Sequence, residues 1–316
     1  MKLGKYLAVV ILFFSTGVGQ EKIPKNIILM IGDGMGISQV TAGRTYKGSL
    51  ELDKFRTLGL LLTHAYGKYY ITDSAAATTA LSSGVKTYNG AIGVGPDTTK
   101  VETALERAKK LGKKTGIVVS CSITHATPAS FVAHVPSRAM QLEIAEQMSD
   151  ADVDIYLGGG WGWFLPKAKG GRRTDGRDLV STMQKRGYVY VSSDSGFRSL
   201  DLTTSEKILG LFAENHVPEA QNRRPSLGEM TAKAISFLSG SANGFFLMVE
   251  GSQIDWAGHD NKSDQIAVEM ADFDDAIGVA LRFAQQNPET LIIVTADHET
   301  GGYSLVGGSR EKRQIE

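Results

Sequence analysis

The sequence has a single cysteine, Cys121, so no disulfide can form within the chain. Stability must then come from a core, and 316 residues with 42% apolar content are enough to build one. An excess of charge of one sign is also missing, because 34 Lys and Arg balance 34 Asp and Glu. That argues against a polyanion-binding surface and against nucleic acid as a dedicated partner. There is no internal repeat, no low-complexity linker and no apolar run long enough for a comfortable membrane span. The apolar stretch from Tyr6 to Phe14, preceded by Lys2 and Lys5 and followed by small residues, has the pattern of a secretory signal peptide. Residues 1–20 therefore read as a cleaved leader and residues 21–316 as the folded domain. Export to a periplasmic or extracellular space is expected, with no stable membrane insertion after cleavage. Cleavage removes two lysines and no acids, which leaves a net charge of −2.

What is present is an alternation. Near-continuous apolar runs at Asn26–Ile31, Ile117–Ser120, Asp154–Leu157, Phe245–Glu250 and Leu291–Ala296 read as buried strands. Amphipathic stretches at 101–111, 137–148, 178–186, 226–238 and 264–286 read as helices between them. The pattern predicts an α/β fold, a mostly parallel central sheet with helices on both faces. The region from Pro166 to Pro225 is richer in Arg, Ser, Asp and Gly and reads as an elaboration on the same domain.

Chemistry-bearing residues collect where these strands end, which is where ligands sit in α/β sheets. Asp255 and His259, spaced i, i+4, share one side if their segment is helical. Asp297 and His298 follow the last predicted strand, and Glu250 ends another; a carboxylate there is costly to bury without a cation or an ion pair. Oxygen and nitrogen donors without thiolates suit a catalytic zinc or a harder divalent ion. Gly32-Asp33-Gly34-Met35-Gly36 fails the dinucleotide fingerprint, because Ile37 and Gln39 stand where a third small residue is needed. Asp33 is then a metal ligand or a plain turn aspartate. In Thr72-Asp73-Ser74-Ala-Ala-Ala, Ser74 is a nucleophile at a helix N-terminus or simply the helix cap. Arg138 is an anion clamp or a solvated arginine. His134 reads as a core or supporting histidine, and Cys121 as a small buried hydrophobe; His64 and His216 show no partner pattern.

Taken together, Ile31-Gly-Asp-Gly-Met-Gly36, Thr72-Asp-Ser-Ala-Ala-Ala-Thr78, His125-Ala-Thr-Pro-Ala129, Val249-Glu-Gly-Ser-Gln-Ile-Asp255 and Thr295-Ala-Asp-His-Glu-Thr-Gly-Gly302 resemble the alkaline phosphatase family. The resemblance implies a phosphate monoester hydrolase with two zinc ions and one magnesium ion, an alkaline optimum and, as is common in the family, a homodimer. It makes Ser74 the nucleophile of a phosphoserine intermediate and Arg138 the clamp on phosphoryl oxygens. Asp255 and His259 would hold the first zinc, Asp33, Asp297 and His298 the second, and Asp33, Thr127 and Glu250 the magnesium. Asp73, His125 and Trp256 would stand beside the site, the last two where some members have aspartate and lysine.

The family completes its first zinc site with a downstream histidine, and no histidine follows His298 here. The sequence therefore reads as a fragment or a shortened product. Two alternatives accompany the main expectation: a weak or silent phosphate- or metal-binding paralogue, and a phosphodiesterase of the same superfamily. Phosphodiesterases usually carry threonine as nucleophile, and a sulfatase needs a modification motif that Cys121 lacks.

Overall fold

The computed structural model describes residues 23–309 and 314–315. The leader expected over residues 1–20 lies outside them. Seven parallel strands form the sheet: β1 (Asn26–Gly32), β2 (Lys114–Ser122), β3 (Ile155–Gly159), β4 (Tyr188–Val191), β5 (Lys207–Leu211), β6 (Phe245–Gly251) and β7 (Thr290–Ala296). Their spatial order is β4-β5-β3-β2-β6-β1-β7, so the first strand lies between two of the last. Ile27 pairs with Phe246 on one side and with Leu291 on the other.

The period of two along each strand decides which layer a residue joins. Leu29, Ile31, Ile117, Val119, Phe246 and Met248 pack with the helices Ala104–Lys110, Gln141–Asp150 and Leu179–Lys185. Their neighbours Ile28, Met30, Val118, Leu247 and Val249 pack on the opposite face with Leu227–Leu238 and Ser263–Gln286. Burial on both faces explains why these strands read as unbroken apolar runs. Two helices begin where a capping box dictates. Thr103 with Glu106, and Ser226 with Glu229, each exchange backbone and side-chain hydrogen bonds.

The region 166–225 is more than an elaboration, since it supplies β4 and β5 and widens the sheet. Among the described residues, no helix is long and apolar enough to cross a membrane.

One buried carboxylate ties the long helix to the start of the chain. Asp274 accepts from the backbone N–H groups of Glu51 and Leu52, both at 2.9 Å, and from Lys47 Nζ at 2.6 Å. Asp274→Ala leaves two N–H groups without their partner and the Lys47 ammonium with Asp275 alone, and should cost about 3 kcal/mol, read as a lowered urea midpoint. A midpoint within a few tenths of a kcal/mol of wild type would refute this role.

Candidate functional site

The carboxyl ends of β1, β2, β6 and β7 point to one side of the sheet, and the candidate residues leave from those ends. Asp33 directly follows β1 and is fully buried. The next residue must be glycine: Gly34 has φ +68°, and a Cβ there would lie 2.8 Å from Asp255 Oδ1. Its N–H donates to Asp297 Oδ1 at 3.1 Å, which also accepts from the His298 N–H at 2.9 Å. Asp297, just past β7, is thereby held by two backbone donors.

Asp73 caps the helix Ser74–Ser83, accepting from the Ala76 N–H at 2.9 Å. Ser74 is therefore the first helical residue and not the cap. Its hydroxyl stands 3.4 Å from Asp33 Oδ1 and 3.3 Å from His298 Nε2. His298 Nε2 lies in turn 3.6 Å from Asp33 and 3.4 Å from Asp297 Oδ2. The segment of Asp255 and His259 is helical, Gln253–His259, as their spacing requires, and His259 Nε2 approaches Asp255 Oδ1 to 3.5 Å. Asp255 faces inward with 8% of its side chain exposed, whereas His259 is 68% exposed. Asp255 also accepts from Thr300, whose hydroxyl lies 3.0 Å from His298 Nδ1. One donor atom from each of Asp33, Asp255 and His298 falls within 4.8 Å of the others.

A second group lies alongside. Glu250 on β6 and Thr127 are completely buried, and Cys121 Sγ on β2 is 3.5 Å from Glu250 Oε2. Arg138, three residues before the helix Gln141–Asp150, donates to Asp73 Oδ2 and lies against His125 Nε2, each at 3.1 Å. A guanidinium only donates, so His125 Nε2 accepts and the neutral ring carries its proton on Nδ1. Burial, helped by Arg138 and His216, pushes the His125 pKa down to about 3.

The electrostatics are those of a site built for cations. Asp33 is pushed well above the carboxylate range by burial and then by Asp297, Asp255 and Glu250; burial likewise raises Glu250 to about 8 and also lifts Asp297. Asp33 Oδ2, Asp297 Oδ2, Glu250 Oε1, Thr127 Oγ1 and His125 Nδ1 are buried without hydrogen-bond partners. Orphaned carboxylate oxygens at this density fit divalent ions and are hard to account for otherwise.

The residues assigned a catalytic or metal role from the sequence thus gather at this end of the sheet. His134 stands apart, against Gly93 O at 2.6 Å and Glu106 at 3.1 Å, as a structural histidine. His216, given no role from the sequence, accepts from the Ser122 N–H at 3.1 Å and packs on Trp256, ring centres 4.4 Å apart, with His125 at 5.7 Å. It lies 94 positions from Ser122, so no local pattern marks it.

A model of the family described as alkaline phosphatase matches residues 24–313. Alkaline phosphatase 4 of Bacillus subtilis (strain 168) is 42% identical over 307 residues, covering 91% of this chain and 64% of that protein. The chain thus spans just under two thirds of that relative's length. The alkaline phosphatase of the Antarctic bacterium TAB5 superposes with a TM-score of 0.85 at 40% identity, covering 93% of this chain and 85% of that one. A variant of the same TAB5 protein, with magnesium bound in its M3 site, gives a TM-score of 0.84 at 40% identity, covering 93% and 84%.

Proposed function

The chain belongs to the alkaline phosphatase family, and on that premise we propose that it hydrolyses phosphate monoesters through a phosphoserine formed on Ser74. The observation that carries the reading is the Ser74 hydroxyl, relieved of capping by Asp73 and set between Asp33 and His298 above orphaned carboxylates. Asp33, Asp297 and His298 would hold one zinc, Asp255 and His259 the donors present for another, and Asp33, Thr127 and Glu250 a third ion, magnesium in the family pattern. Such ions supply Lewis acidity, which lowers the pKa of a coordinated hydroxyl and stabilises charge on phosphoryl and leaving oxygens.

The chain's own groups do the rest. The helix that begins at Ser74 directs its dipole toward the incoming phosphoryl group. Arg138 spends N–H donors on Asp73 and His125, which fixes its fork and leaves the others for equatorial oxygens. Ser74 gives up its hydroxyl proton to solvent and its Oγ forms a bond to phosphorus as the ester P–O bond breaks, and the departing alkoxide takes a proton from water. Water then cleaves the phosphoseryl ester, restoring Ser74 and releasing phosphate. The Trp256–His216–His125 aromatic group walls the site on the Arg138 side.

The test is p-nitrophenol release from p-nitrophenyl phosphate by the purified chain, from neutral to strongly alkaline pH, with zinc and magnesium and then with EDTA. Release that rises with pH and disappears with EDTA is expected. Soluble, metal-loaded chain that releases nothing would refute the proposal in favour of a silent binding protein. Faster cleavage of bis(p-nitrophenyl) phosphate would replace it with a diesterase.

A further inference from the structure

Cys121 brings sulfur, a donor that magnesium does not favour, to 3.5 Å from Glu250 Oε2. We infer that Cys121, His125 and Glu250 together form a sulfur–nitrogen–oxygen site that takes a zinc-class ion in place of magnesium; this rests on the metal reading above and changes the identity of its third ion. Three observations carry it. One donor atom from each of the three side chains lies within 4.8 Å of the others. Glu250 Oε1 and Thr127 Oγ1, on residues with no exposure at all, are buried without partners, as is His125 Nδ1. The Cys121 sulfur is 3.5 Å from Glu250 Oε2. That matches the separation of about 3.5 Å that a tetrahedral zinc imposes on a thiolate and a carboxylate oxygen at its usual bond lengths.

The chemistry of the donors decides which ion. Magnesium demands an octahedron of oxygens and gives up water reluctantly, whereas thiolate and imidazole suit zinc and its neighbours in the first transition row. Uptake is balanced by loss of the thiol proton to solvent as the sulfur–metal bond forms. Coordination through His125 Nδ1 moves the ring proton to Nε2, and two donors then face each other across the 3.1 Å to Arg138. The ion therefore detaches Arg138 from His125 and leaves its fork to Asp73 and the phosphoryl group.

Cobalt(II) added to the metal-stripped full chain tests this without any assay of activity. Cys121 is the sole cysteine, so a thiolate-to-cobalt charge-transfer band in the near ultraviolet has one possible source. The band is expected, is expected to persist in a large excess of magnesium, and should be lost completely in Cys121→Ser and Cys121→Ala while the visible cobalt absorption of the other ions remains. Wild-type chain alone gives the decisive reading, so a variant that folds poorly does not blur it. Visible cobalt absorption without the ultraviolet band would overturn the inference and leave the metal reading standing. A band erased by magnesium would overturn the selectivity. No cobalt-dependent absorption of either kind would remove the metal reading and this inference with it.

Discussion

Ser74→Ala is expected to lower p-nitrophenyl phosphate turnover by on the order of 10³-fold or more, because the proposed reaction forms its covalent bond through this hydroxyl. The fold should be indifferent to the change. The helix cap belongs to Asp73, alanine is a better helix former than serine, and among the described residues the Ser74 hydroxyl has polar contacts with Asp33 and His298 alone. The melting temperature should therefore stay within about a degree or two of wild type. Transfer of labelled phosphate to the wild-type chain at acid pH, where hydrolysis of a phosphoserine is slow, should likewise vanish in the variant. A variant that keeps a tenth of the wild-type rate would end the nucleophile assignment, whatever the metal content.

The second large effect appears when the ions are removed. In the unfolded chain Glu250 titrates near its ordinary value, whereas in the folded metal-free chain burial raises it to about 8. Burial and the neighbouring carboxylates push Asp33 up in the same way. Between those two pKa values the folded state holds protons that the unfolded state has released, so the stability of EDTA-treated protein should fall as pH rises from about 5 to 8. The expected loss from Glu250 alone is on the order of 4 kcal/mol. Zinc and magnesium favour the ionised carboxylates and should abolish or reverse the slope. Glu250→Gln, which cannot ionise, should make it shallower in EDTA and leave the part due to Asp33 and Asp297. Thermal melts at a series of pH values, with and without EDTA, decide the matter: a flat or rising curve in EDTA would mean that these carboxyls ionise without a cation.

How much of this was legible in the sequence depended on whether the deciding contacts were local. β1, β2 and β6 announced themselves, because strands covered on both faces must be apolar at successive positions; β7 is as apolar in sequence, although Leu291 and Ile293 on this edge strand are exposed. β4 and β5 did not. Tyr188-Val-Tyr-Val191 is only four residues long, and Lys207-Ile-Leu-Gly-Leu211 carries a lysine and a glycine inside a polar surrounding. Their strand character comes from the neighbours they pair with, Val189 with Ile208 and Ile208 with Ile155. The acidic residues and histidines at the strand ends were legible for the opposite reason. A carboxylate placed after five apolar residues is a conflict visible at short range. The wall at His216 and the sulfur at Cys121 act through partners distant in sequence, and no window along the chain contains them. For Cys121, reading it as a buried hydrophobe was sound for its burial and silent about what lay across from it.

The place of β1 between β6 and β7 sets a timetable for the chain as it is made. Ile27 must wait for Phe246, which is synthesised 219 residues later, and then for Leu291. At about 5–20 residues per second, the first strand remains without its partners for roughly ten to forty seconds. Throughout that interval Asn26-Ile-Ile-Leu-Met-Ile31 is an apolar segment without its sheet, and Asp33 has met none of Glu250, Asp255 or Asp297. The acidic centre cannot form early and wait for the scaffold, because the last strands bring both together. A nascent chain stalled before residue 245 would expose a sticky segment and have little affinity for ions. One carried past residue 298 gains its central strand pairing and its cation-binding charge in the same step.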